Sequence, residues 1–185
     1  ILSGLVGSEM CIRDRIQTID NGCFNGPHIS YNFGGKIFLE EFYVNNQKHG
    51  VSTMYYGNGM IGAINNFVNG LKEGESKIFY KSGQLKDITN FVNGKKQGER
   101  QEYYESGKLY RSYYYVDDQE SKVTTEYYES GIIKAEYSYC GINRGCCSEY
   151  YDSGVLRRWW NFANGKKNGI EKNYDENGNI ITENM

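Results

Sequence analysis

The chain has 185 residues, with Lys+Arg 21 against Asp+Glu 23, and this charge of -2 gives no pull on phosphate backbones, so nucleic acid is not an expected partner. Its 18 tyrosines and 23 glycines, with a mean hydropathy of -0.71, leave too little aliphatic side chain for a thick core and hand the packing to aromatic rings. No run approaches the roughly 18 apolar residues that a membrane-crossing helix needs, so a membrane partner is not expected from the visible chain.

The chain begins with a stretch that is set aside. Glu9-Met10-Cys11-Ile12-Arg13-Asp14-Arg15 back-translates to a string containing a transposase mosaic-end sequencing adapter, so residues 1–15 read as adapter read-through and residues 16–185 as the native array. A native start lost upstream leaves the compartment open, with the cytoplasm favoured over the envelope or secretion.

From there the sequence repeats. An aromatic residue is followed four positions later by glycine at Tyr31, Tyr55, Phe79, Tyr103, Tyr127, Tyr150 and Tyr174, with spacings of 24, 24, 24, 24, 23 and 24 residues. An aliphatic residue follows each of those glycines by two positions: Ile37, Ile61, Leu85, Leu109, Ile133, Leu156 and Ile180. Between anchors lies a second mark, Asn69-Gly70 with Gly74, Asn93-Gly94 with Gly98 and Asn164-Gly165 with Gly169, and Asn21-Gly22 with Gly26 precedes the first anchor. Aromatic and β-branched runs separated by such pairs read as short strands joined by tight hairpins, and no segment keeps apolar spacing at three and four. The expected fold is all-β: a single antiparallel meander, solenoid-like, of about seven 24-residue hairpins.

If Ser106-Gly107 closes a two-residue turn, Tyr104 faces Leu109, Tyr103 faces Tyr110, and Glu102 faces Arg111; a three-residue turn shifts the pairing. In the first register one face collects Tyr56, Tyr80, Tyr104, Tyr128 and Tyr151 with the aliphatic row and Phe67, Phe91, Tyr115, Tyr139 and Phe162, and this is the expected apolar side. The anchors Tyr31, Tyr55, Phe79, Tyr103, Tyr127, Tyr150 and Tyr174 then line a wetter face with Lys86, Lys134 and Arg157, and form the candidate row for binding a partner. Asp117-Asp118 with Lys122 replaces the Asn-Gly mark, and Gly141 to Gly145 is one residue short, so irregular turns are expected at both places.

The string Phe91 to Gly98 followed by Tyr103 to Leu109, and again Phe162 to Gly169 with Tyr174 to Ile180, resembles the MORN-variant repeat found in bacterial antitoxins of the YwqK type. That resemblance covers about Asp20 to the C-terminus. It implies an array of hairpins without catalytic residues, acting in protein association or scaffolding, with a toxin as partner.

Sites of chemistry are not apparent. His28 and His49 lack a cysteine or carboxylate at ligand spacing and are expected in surface turns, and no pattern calls for a metal or cofactor. Cys140 and Cys146 flank one inter-strand turn and come near enough to bridge in an oxidising compartment, although reduced thiols are the first reading. Trp159 and Trp160 place large rings on both faces of one strand, which marks either an interaction hot spot or heavier local packing. Two functions compete: protein binding or self-association, antitoxin-like, against an envelope or secreted protein that contacts glycans or lipids through the tyrosine row.

Overall fold

The computed structural model describes the backbone of residues 12–20, 22–120, 123–141 and 144–184. Two compact units divide the chain, Ile1–Lys96 and Gln97–Met185, and among the described residues neither contains a helix. In the first unit the strands are β1 (Ile12–Asp20), β2 (Cys23–Asn32), β3 (Ile37–Val44), β4 (Gln47–Lys48), β5 (Gly50–Tyr55), β6 (Ile61–Val68), β7 (Leu71–Lys72), β8 (Gly74–Phe79) and β9 (Leu85–Val92). The second unit, from Gln97 within β10 (Lys95–Tyr103), continues with β11 (Leu109–Val116), β12 (Gln119–Glu120), β13 (Val123–Tyr127), β14 (Ile133–Gly141), β15 (Arg144–Tyr150), β16 (Leu156–Ala163), β17 (Lys166–Tyr174) and β18 (Ile180–Asn184). Within each unit the long strands pair antiparallel in chain order, and each two-residue strand opens a pairing with the preceding long strand that the following strand completes: β3 with β4 and β5, β6 with β7 and β8, and β11 with β12 and β13. Each unit is thus the expected all-β meander of tandem hairpins.

Residues 1–11 lie outside the described residues, so the reading of the first fifteen as adapter meets the structure only at Ile12–Arg15, which form the start of β1 against β2.

The first turn departs from the two-residue expectation. Gly107 N donates to Tyr104 O at 2.9 Å and Tyr104 N to Lys108 O at 2.8 Å, which encloses three residues, and Gly107 closes the turn at a φ of 84°. Glu102 faces Arg111 as expected, but Tyr103 faces Leu109 because Tyr110 is an extra, bulged residue. The same bulge recurs in every hairpin, at Phe38, Gly62, Lys86, Tyr110, Lys134, Arg157 and Ile181. Turn and bulge together restore the register that the turn shifts.

At the second turn Asn69, Asn93 and Asn164 take φ near 50° before glycine, the paired left-handed residues of a two-residue hairpin. Asp117-Asp118, expected to be irregular, adopts the same conformation at φ of 50° and 67°, since a short polar side chain tolerates this region. Asn45-Asn46 makes one more such turn that the search for Asn-Gly pairs passed over. The short Gly141–Gly145 turn pairs Gly141 with Arg144, and its tip, residues 142 and 143, lies outside the described residues.

The described residues form no thick core. Among the described residues the buried apolar side chains are Ala63, Tyr115, Ala135 and Cys147, and Ser52, Ser76, Thr89 and Thr124 are buried with them. A thin sheet buries such groups by setting small beside large: Thr124 lies across from Tyr137, and Cys147 lies between Tyr137 and Trp160. Large rings likewise cover glycines, with Phe67 opposite Gly50, Phe91 opposite Gly74 and Tyr115 opposite Gly98.

Candidate binding surface

Strand alternation and the observed register assign the faces. Gln101, Ser112, Thr125, Glu136, Ser148, Trp159 and Lys172 lie across from one another in sequence through β10 to β17, and Tyr103, Tyr127, Tyr150 and Tyr174 stand two residues beyond members of that row. In the first unit Glu40, Thr53, Ile64, Lys77 and Ile88 form the equivalent row, beside Tyr31, Tyr55 and Phe79. The seven anchor rings therefore share one face within each unit. All seven are half-buried.

Several anchor hydroxyls are held by this face. Tyr55 donates to Glu40 at 2.6 Å, Tyr150 to Glu136 at 2.9 Å and Tyr103 to Gln101 at 2.6 Å. The Glu40 carboxylate bonded to Tyr55 holds that phenol above its ordinary pKa, and burial does the same first for Tyr103 and Tyr150. The phenols stay protonated at neutral pH, rigid and uncharged.

The second aromatic, present in five hairpins as Tyr56, Tyr80, Tyr104, Tyr128 and Tyr151, lies on the other face and has a structural task. Tyr56 donates to Phe79 O at 2.6 Å, Tyr104 to Tyr127 O at 2.8 Å, Tyr128 to Tyr150 O at 2.8 Å and Tyr151 to Tyr174 O at 2.9 Å. Each hydroxyl thus tethers its hairpin to the anchor backbone of the following one. The bulged residue covers the ring: Lys86 sits over Tyr80, Tyr110 packs edge-on against Tyr104, Lys134 sits over Tyr128, and Arg157 over Tyr151. These cations were expected among the anchors; the bulge carries them onto the second rings instead.

That second face holds the buried Ala63, Tyr115, Ala135 and Cys147, but it is not purely apolar. It buries a charged ladder in which Arg111 meets Glu126 and Tyr113, Tyr113 meets Glu102, and Arg158 meets Glu149 at 2.9 Å. In the first unit Glu41 is bound by Lys48 and Tyr43 and lies 3.4 Å from His28. Burial opposes ionisation of Glu41, but the hydrogen bond and charge of Lys48, with help from Tyr43 and His28, bring its pKa below the ordinary value. His28 thus belongs to β2 beside a carboxylate, not to a surface turn, because its partner lies across the sheet, 13 residues on, where local spacing does not reveal it. His49 follows β4, and its backbone N–H donates to Phe42 O.

Trp159 and Trp160 do point to opposite faces, Trp159 in the anchor-face row and Trp160 opposite Cys147 with Arg158 4.4 Å from its ring centre. Cys146 is a free thiol facing Ser138, and Cys147 is a buried one pushed up to about 12, first by burial and then by Glu149. The side chain of Cys140 lies outside the described residues.

One feature of the anchor face escaped the sequence reading. Val44, Val68, Val92 and Val116, each placed 13 residues after an anchor and just before the second turn, are exposed. Their signal was the recurring valine before the turn pair.

No curated protein matches the chain. The model of the MORN repeat variant matches residues 72–93, 96–117, 122–140 and 167–184. The first two of these segments each span one hairpin from the strand before its anchor to the following turn pair, and the hairpins of the remaining repeats have the same bulge and turn. Over these four segments, set on hairpins of one design, the chain is similar to the MORN repeat variant.

Proposed function

We propose that this chain is a non-catalytic binding or scaffolding protein that engages another protein through its anchor face, and that the partner is a toxin neutralised by the contact. The carrying observation is the division of labour between the two aromatic rows: the second row is spent on tethering hairpins, while the anchor rings line the face whose valines remain exposed. MORN-type hairpin arrays are typically binding or scaffold structures, and resemblance to YwqK-type antitoxins supplies the toxin as the class of partner. Rigid tyrosines spaced by two strands, about 9.6 Å, present area to a partner at small entropic cost.

The test is co-expression of the chain with the reading frames that flank its gene, scored by growth and by retention on the tagged chain. A neutralised, retained toxic product is expected, and its capture should drop in the Tyr103→Ala/Tyr127→Ala variant while the far-ultraviolet spectrum is kept. If no flanking product is toxic or retained, the antitoxin role is lost and only generic scaffolding survives.

A further inference from the structure

We propose that the anchor face of the first unit docks against the same face of a second copy of this chain. This rests on the reading of that face as a binding surface and adds the partner it takes first. The register sets Phe42, Val44, Val51, Val68, Leu71 and Val92 on that face, with Val68 directly across from Leu71, and Val51 across from Asn66 one alternation away. Val51 is 59% and Leu71 50% exposed, and Phe42, Val44, Val68 and Val92 are between 38% and 44% exposed.

On ordinary side-chain areas these fractions leave roughly 450 Å² of apolar surface in water, the size at which a patch on a soluble protein marks a contact site. With the half-buried rings of Tyr55 and Phe79 and the aliphatic Ile64 and Ile88 on the same face, it approaches the about 800 Å² per partner that a specific pair covers. Charged groups on this face already have polar partners, and Glu73 accepts from the Asn93 N–H at 2.8 Å. Glu40 already accepts the Tyr55 hydroxyl, Glu75 and Lys77 pair at 2.8 Å, and the adjoining turns present the neutral Asn45, Asn46 and Asn69.

Geometry favours a like partner. Equivalent residues recur every second strand, about 9.6 Å apart, so a copy related by a twofold axis brings a valine row of the same spacing against this one. Two sheets meeting face to face at about 10 Å form a sandwich, which supplies the second layer that a lone sheet lacks.

Sedimentation equilibrium of the whole chain between about 1 and 200 µM tests this. A monomer–dimer equilibrium is expected, unchanged when sodium chloride rises to about 1 M because the contact is apolar, and weakened at least tenfold by Val68→Glu/Leu71→Glu. Should that double variant fail to fold, Val51→Glu at the most exposed position gives the same reading. A wild-type chain that stays monomeric throughout, or a folded variant that dimerises as wild type does, overturns the proposal. A monomer that still captures a foreign protein through the anchor rings overturns this inference alone, whereas a dimer that captures nothing else overturns only the toxin-binding role.

Discussion

A tyrosine hydroxyl laid against a sheet needs an acceptor, and for the second aromatic row the acceptor is the backbone of the next hairpin. The bond from Tyr104 to Tyr127 O at 2.8 Å should contribute about 1 kcal/mol, the net worth of a typical internal hydrogen bond. Tyr104→Phe is therefore expected to lower stability in urea by about that amount without altering capture of a partner. Tyr104→Ala also empties the site under Tyr110 and should cost about 3 kcal/mol or more. Glu41 gives a second outcome, in acid. Its folded pKa lies below the ordinary 4.5, so its stabilising contribution is complete above that value and lost as pH falls through the lowered one. Amide protection in the first unit, corrected for the intrinsic exchange rate, should fall below about pH 4.5 in the wild type, and Glu41→Gln should be weaker at neutral pH but show a smaller change on acidification. The side of the sheet that Tyr104 takes was legible in the sequence, but its acceptor and the Glu41 pair were not: Glu41 and Lys48 are seven residues apart and look like ordinary solvated charges until β3 and β4 bring them together.

At the scale of the hairpin, much was legible and one step was not. The aromatic-to-glycine spacing located every anchor strand, because a turn needs its glycine at a fixed place. Ser106-Gly107 is compatible with a two- or a three-residue turn, so sequence left the register open, and the compensating bulge at Tyr110 has no signature of its own. The Asp117-Asp118 turn was misjudged for a related reason: the conformation demands short polar residues with positive φ, and glycine is only the easiest of them. A close contact is more demanding. A Cβ at Gly145 would stand 2.1 Å from Ser138 O and 2.7 Å from the Phe162 ring, so something must move. Gly145→Ala is expected to cost about 2 kcal/mol or more in a urea titration, a larger loss than substitution of an exposed strand residue brings.

For the whole molecule, the period is the physical unit. Each 24-residue hairpin buries little by itself and depends on neighbours for tethers, ring covers and small-beside-large packing, so stability accumulates along the array as in other repeat proteins. The most direct test is deletion of residues 60–83, one full period that joins Gly59 to Gln84, against deletion of residues 60–71, half a period, with urea unfolding followed by far-ultraviolet circular dichroism. The full-period deletion should keep a β spectrum and a cooperative transition at a lower urea midpoint, while the half-period deletion should lose both. A full-period deletion that abolishes folding, or that leaves the midpoint where the intact chain has it, would contradict an array of interdependent, interchangeable hairpins.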